Sequence, residues 1–191
     1  MKTEGLFEQT EKKEFDFGSQ IIRGYRMDEV VSALQKDIRR GNEKEAAYWA
    51  YLIHEAGYYK YLFSRLVVIA FEDIGKANLP LVQLVVETAN FVQTLKRPPE
   101  GLIATGIVSL MARSPKCREA DELHNLIGRM VKENPLPMPD YAVDMHTQRG
   151  KEMGRGLKYF WEEGAKLKNE IPSEYKEELY QKLGYKMPDE P

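Results

Sequence analysis

The sequence predicts an all-α protein, a single helical domain of about seven to eight helices followed by a proline-broken C-terminal arm. Three observations carry that expectation. From Met27 onward apolar residues recur at helical spacing. The segments that carry them open at Asn, Ser or Pro and close at Gly, the residues that start and stop helices. No two-residue hairpin signal separates the long apolar runs, which exceed ordinary strand length.

Residues 1–24 are polar and unpatterned around isolated Phe7, Phe15 and Phe17, and read as a flexible tail that docks, if at all, through its phenylalanines. A helical core is expected over 25–134. Met27, Val30, Val31, Leu34 and Ile38 share one face of a first helix that Gly41 ends. Asn42 with Glu45 three residues later reads as a capping box for a second, whose stripe is Ala46, Trp49, Ala50 and Ile53 and whose stop is Gly57. Three more apolar segments follow: Tyr61 to Ile74, ended by Gly75; Leu81 to Val92, after Pro80; and Gly101 to Ala112, after Pro98-Pro99. Helices apolar on most sides must be covered by neighbours, so these form the core.

Ser114-Pro115 reads as the start of the next helix, with Ala120, Leu123, Ile127 and Met130 on its buried face and an end near Glu133. The prolines at 135, 137 and 139 then forbid a continuing helix. Residues 135–191 form the arm, packed on the core or on a neighbouring chain. In it Leu157, Phe160, Trp161 and Gly164 resume helical spacing, and Pro172-Ser173 opens a last helix that Gly184 closes.

Composition excludes several classes. The 191 residues carry 28 basic and 30 acidic side chains, a formal charge of −2, which gives no global steering toward nucleic acid or anionic lipid. The single Cys117 forbids an internal disulfide and fits a reducing compartment. No apolar run approaches the roughly 18–20 residues that span a bilayer, and the start has no apolar signal core. A cytoplasmic protein with no membrane attachment is the expectation, and the initiating Met1 favours a whole gene product.

No phosphate loop of the G-x-x-x-x-G-K-[ST] type is present, so ATP hydrolysis is not expected of this chain. His54, His124 and His146 match no standard metal spacing, and neither metal nor cofactor is expected. His54-Glu55 reads as a surface pair near a helix end. Cys117, beside Lys116 and Arg118 in the first turn of a helix, would have a stabilised thiolate but no implied partner. No catalytic residue is assigned. Glu72-Asp73 reads as an acidic pair that caps or pairs locally before Gly75.

The segment from Asp144 to Lys158 asks for an explanation. Between Thr147 and Phe160, Arg149, Lys151, Arg155 and Lys158 face one acid, Glu152. On a helix, Lys151, Arg155 and Lys158 would share a face, and Gly150, Gly154 and Gly156 would admit a phosphate or another backbone. Two readings stay open. One is an anion or nucleic-acid phosphate site of Arg149, Lys151, Arg155 and Lys158 that His146 helps orient, or a small phosphate-ligand enzyme that uses Asp144, His146, Arg149 and Arg155. The other is a glycine-mediated helix contact with a solvated basic back. Tyr159, Phe160 and Trp161 read as core.

A family resemblance rests on motifs in order. They are Arg40-Gly41-Asn42 through Ala46-Ala47-Tyr48-Trp49, His54-Glu55-Ala56-Gly57, Arg65-Leu66-Val67, Phe71-Glu72-Asp73-Ile74-Gly75 with Ala77-Asn78, and Ser114-Pro115-Lys116. This resembles the C-terminal helical region of the replication-associated recombination protein A family, also called MgsA, whose eukaryotic relative is the Werner-helicase-interacting protein. The likeness covers about residues 27–120 and loosens past Pro135. It implies a helical domain like the collar through which clamp-loader ATPases assemble, without the family's AAA+ module. It also implies structural roles for Trp49, Gly57, Arg65, Glu72, Asp73, Gly75, Pro115 and Lys116. From it follow expectations of a homo-oligomer, a tetramer being favoured, and of a separately encoded AAA+ ATPase as partner; direct DNA binding is an alternative expected of the basic C-terminal arm. A non-catalytic assembly module in DNA replication, recombination or repair is the expected function.

Overall fold

A computed structural model describes residues 17–187. The tail expectation for 1–16, Phe7 and Phe15 included, lies outside those residues. The described chain is all-α apart from one two-residue β-ribbon, and it divides into two compact units between Arg129 and Met130.

Residues 17–26, the end of the expected 1–24 tail and the first two residues of the expected core, fold as a short 3-10 turn (Phe17–Ser19) and an antiparallel ribbon, β1 (Ile21–Ile22) with β2 (Tyr25–Arg26). Arg23 and Gly24 take positive φ, 50° and 88°, as a two-residue hairpin turn requires. Ile22 is buried in the core, and Arg23 pairs with Glu55 at 2.9 Å. Burial of one isoleucine holds a turn that its own residue types only weakly favour.

The first unit is built of α1 (Met27–Arg40), α2 (Glu43–Glu55), α3 (Tyr59–Ile69), α4 (Leu79–Thr94), α5 (Gly101–Arg113) and most of α6 (Glu119–Glu133). Helix α2 lies against α1 and α5, and α3 against α4. The expected α1 stripe is the buried one, with Met27, Leu34 and Ile38 fully covered. Ala46, Ala50 and Ile53 of α2 meet it, joined by Phe63, Leu66 and Ile69 of α3, Val85 of α4 and Met111 of α5. Each large apolar side chain so buried contributes roughly 1.5–3 kcal/mol relative to exposure. Gly41 ends α1 in the left-handed conformation, φ 77°.

Helix ends correct the sequence reading in three places. Asn42 precedes α2 but makes no capping bond there; its Nδ2 donates instead to Asp37 Oδ1 at 2.9 Å, beside the Trp49 indole N–H on Oδ2 at 2.9 Å. Asn78, not Pro80 alone, starts α4: its Oδ1 accepts from the Leu81 amide at 3.2 Å, with Pro80 in the first turn. Ser114-Pro115 does not start α6. A residue before proline is pushed out of the helical region, and Ser114 is extended (ψ 149°), so 114–118 run as a strap and α6 begins at Glu119.

Helix α6 departs furthest from expectation. Its stripe of Ala120, Leu123, Ile127 and Met130 was expected to be buried, yet no residue of the helix is. An amphipathic pattern says that a face needs cover and not which chain supplies it.

The second unit opens on an extended stretch through Pro135, Pro137 and Pro139 and a 3-10 turn, Asp140–Ala142. It continues through α7 (Gln148–Glu152), α8 (Leu157–Tyr159), which runs into a wide turn over Phe160–Gly164, and α9 (Lys176–Leu183). Gly184 closes α9 at φ 66°. Tyr180 is its buried anchor, donating to the Trp161 carbonyl at 2.6 Å and meeting the indole edge to face.

Candidate functional site

In the first unit the motif residues converge on a buried carboxylate. The last turn of α3 widens over Ala70–Ile74 into a π-type turn, and the extra residue swings Asp73 inward until its side chain is fully covered. A buried charge must be paired. Arg39 of α1 donates Nε to Asp73 Oδ1 at 2.6 Å and Nη2 to Glu72 Oε1 at 2.9 Å. Gln35, one turn earlier, donates to Asp73 Oδ2 at 3.3 Å and accepts from Arg65 Nη2 at 2.5 Å. Arg118 closes the other side, 3.5 Å from Asp73 and 3.6 Å from Glu72, while binding Asp121 at 2.5 Å. The Asp73 hydrogen bond raises the Arg39 pKa further, against the opposing effect of burial.

The expected local pairing of Glu72-Asp73 is therefore replaced by pairing across the fold. Its chief partners, Arg39, Gln35 and Arg118, were not singled out from the sequence. The available signal was Gln35 and Arg39 one turn apart on an otherwise apolar stripe.

The strap joins the same centre by its backbone. Cys117, which lies ahead of α6 and not in its first turn, donates its amide to the Asp73 carbonyl at 2.9 Å. Lys116 turns back on α5, its ammonium donating to the carbonyls of Met111 and Ala112 at 2.9 Å and of Ser114 at 2.5 Å. That closes a helix C-terminus with a cation, and burial pushes the Lys116 pKa down. Pro115 holds the strap extended. Gly57 (φ 86°) and Gly75 (φ 47°) occupy backbone that other residues rarely adopt. His54 is no surface pair with Glu55: its Nε2 sits 2.8 Å from the Pro99 carbonyl.

Beside the network, Val67, Val68, Phe71 and Glu72 face Ala120, Asp121 and His124 across a cleft of about 450 Å³. Phe71 is 52% exposed and Val68 45%, so the cleft has an open apolar floor.

In the second unit the Asp144–Lys158 segment is not one helix. Gly154 takes φ 70° after α7, and Lys151, Arg155 and Lys158 do not share a helical face. Two carboxylates organise the segment instead. Asp140 accepts from Arg155 Nη2 at 2.6 Å and from the Tyr159 hydroxyl at 2.9 Å. Arg155 Nη1 reaches the carbonyls of Asp140 and Val143 at 2.8 and 2.7 Å, and its guanidinium lies 4.2 Å over the Tyr159 ring. Asp144 takes the His146 amide and faces its Nδ1, both at 2.9 Å. Thr147 caps α7 by accepting the Gly150 amide at 3.0 Å. Arg155 holds the Asp140 carboxyl below its usual range, and His146 does the same for Asp144.

His146 and Arg155 are thus held on different carboxylates. Arg155 is taken up by Asp140 and two carbonyls, its side chain only 14% exposed. Arg149, Lys151 and Lys158 are exposed and form no ion pair among the described residues. The other sequence reading, a close glycine contact, holds at one position: a Cβ on Gly150 would lie 1.8 Å from the Asp144 carbonyl oxygen. Tyr159, Phe160 and Trp161 are half-buried in this unit and do not join the main core.

No helix among the described residues is long and apolar enough to cross a membrane. The family model of the MgsA AAA+ ATPase C-terminal region matches residues 41–189. The chain is similar to replication-associated recombination protein A of Bacillus subtilis, 31% identical over 69% of this chain and 31% of that protein. It is similar to the Haemophilus influenzae protein of that name, 28% identical over 83% of this chain and 37% of the relative. The Escherichia coli protein is 31% identical over 72% of this chain and 31% of the relative. The chain spans about a third of the length of these relatives. The matched span begins just after α1 and takes in α2 to α9 with the strap and the Asp140–Asp144 segment, and the chain belongs to the MgsA AAA+ ATPase C-terminal family.

Proposed function

We propose that the chain is a non-catalytic assembly and binding module of DNA replication, recombination or repair, acting in the cytoplasm as a collar-like homo-oligomer. The observation that carries this reading is the uncovered face of α6, where Leu123, Leu126 and Ile127 are 56%, 55% and 44% exposed and Val131 is 69% exposed. Stable oligomer interfaces are apolar at their centres and bury well over about 1,000 Å². Leu79, Leu84 and Phe91 on α4 and Leu102 and Leu110 on α5 add exposed apolar surface. In this reading the charge network around Asp73 is a scaffold that fixes the strap and the start of α6. The names of the relatives support the process, and the family's AAA+ character supports a separately encoded ATPase as partner.

Light scattering on a sizing column, at several concentrations and two salt levels, tests the reading. A particle of four times the chain's 22.1 kDa, insensitive to salt, is expected. A monomer at every concentration overturns it.

A second reading, DNA contact by the arm, is favoured by Arg149, Lys151 and Lys158, which are exposed and form no ion pair among the described residues. It predicts affinity that falls steeply with salt.

A further inference from the structure

We propose that residues 135–139 are a built-in polyproline ligand exchanged between two copies of the chain, the segment of each copy seating in an aromatic cleft of the other. This rests on the assembly reading and names one of its interfaces.

The segment has the form of a ligand. Pro135-Leu136-Pro137-Met138-Pro139 cannot continue a helix, and Pro139 has φ −67° and ψ 141°, the polyproline conformation. At three residues per turn, Leu136 and Pro139 share one edge and Pro135 and Met138 another, so both edges are wholly apolar. Water covers them in the single chain: Leu136 is 76% exposed and Met138 67%. Residues 135–138 form no backbone hydrogen bond among the described residues. Such a segment is stiff before it binds, so seating it costs little conformational entropy.

The same unit carries the kind of surface that takes such a segment. Trp161, Leu167, Tyr175, Leu179 and Tyr180 line a cleft of about 400 Å³ between the wide turn and α9. The Trp161 ring meets Phe160 and Tyr180 edge to face, at 5.3 and 5.8 Å, so one aromatic wall is fixed in advance. Glu170 and Lys176 also line the cleft but pair with each other, which leaves no free charge between them. Polyproline segments dock in aromatic-lined grooves of this kind.

The occupant is a second copy. No residue of 135–139 lines the cleft of its own chain, and Asp140, clasped by Arg155 and Tyr159, fixes the segment's downstream end. Charge complements the fit. Glu174 and Glu177 flank the cleft, and Arg129 and Lys132 lead into the segment against the single acid Glu133. All five are exposed and form no ion pair among the described residues. The exchange is reciprocal, so two copies make the contact twice about a twofold axis.

Complementation in the full chain, read by light scattering on a sizing column, tests the exchange. Leu136→Ser with Met138→Ser removes the ligand, and Leu167→Ser with Tyr175→Ser removes the cleft wall. All four side chains are exposed, so melting is expected to stay unchanged. Each double variant alone is expected to at least halve the particle mass. Mixed in equal amounts the two are expected to reassociate, because each supplies the half that the other lacks. With Cys117→Ser as background, Leu136→Cys and Tyr175→Cys chains are expected to cross-link in a mixture on mild oxidation and not separately. Should the wild type associate while either double variant keeps its full mass, or the mixture stay dissociated, the exchange is overturned and the assembly reading stands. A chain carrying both cysteines that closes a disulfide within itself overturns the exchange as well. A wild-type monomer at all concentrations overturns both readings.

Discussion

Arg39 and Asp73, thirty-four residues apart, meet at 2.6 Å with the carboxylate wholly removed from solvent. The pair ties the last turn of α1 to the wide turn that ends α3, and the Cys117 amide on the Asp73 carbonyl extends the tie to the strap. A single buried residue thereby fixes three segments that are distant in sequence.

Removing Arg39 leaves the buried Asp73 carboxylate with only the longer contacts of Gln35 and Arg118, and breaking a buried pair costs up to about 3–5 kcal/mol. Arg39→Ala is expected to destabilise the protein by that order in urea unfolding. Arg39→Met with Asp73→Leu, which removes both charges, is expected to recover much of the loss. A double variant as unstable as the single one would show that the charges do not act as a pair.

Gly150 carries the tightest steric constraint among the described glycines, with the Asp144 carbonyl oxygen where a Cβ would stand. Gly150→Ala must displace backbone, and overpacking of this kind costs typically about 1–3 kcal/mol. Faster amide exchange is expected through residues 140–164, with α1 to α5 protected as before. Gly106→Ala, in open space on α5, serves as the control and is expected to be neutral or slightly stabilising.

Much of the helical framework was legible in local pattern. The α1 stripe and the stops at Gly41, Gly57 and Gly184 follow from helical period and from glycine's access to positive φ, properties carried by neighbouring residues. What local pattern does not hold is partnership at long range. Asp73 looked like a cap because Arg39 is thirty-four residues away. Arg155 looked like an anion ligand because its partner, Asp140, lies fifteen residues back, outside its own helical segment. The Arg23-Gly24 hairpin was missed because the burial of Ile22, and no strong turn pair, holds it in place. The α6 stripe was correctly seen as a face but wrongly assigned to the core, since periodicity carries no information about what covers it.

Acid is expected to loosen the second unit. Asp140 and Asp144 have folded pKa values below the unfolded 3.8, the first chiefly through Arg155 and the second through His146. A carboxyl lowered by folding contributes stability that is fully present above its unfolded pKa and is lost as pH falls through the folded value. Exchange protection over residues 140–164 should hold from neutral pH down to roughly 5 and fall below about 4. Asp140→Asn with Asp144→Asn should lower protection at neutral pH and flatten this acid response. A variant that keeps the wild-type profile would place the acid sensitivity elsewhere.

Stability and nucleic-acid binding should separate within the basic segment. Arg155 is bound to Asp140 and two carbonyls, so Arg155→Gln is expected to weaken the fold of the second unit. Lys151 and Lys158 are exposed and form no ion pair among the described residues, so Lys151→Gln with Lys158→Gln should leave melting within about 0.5 kcal/mol of wild type. If the arm touches DNA, the lysine pair should weaken binding alike for all sequences. It should also reduce the slope of log affinity against log salt by about 0.9 for each duplex phosphate that the variant no longer neutralises. Titration of a fluorescent duplex at four salt concentrations measures both quantities. Unchanged affinity and slope in the lysine variant would remove DNA binding by these side chains and leave the segment as a folded carboxylate clasp with a solvated basic surface.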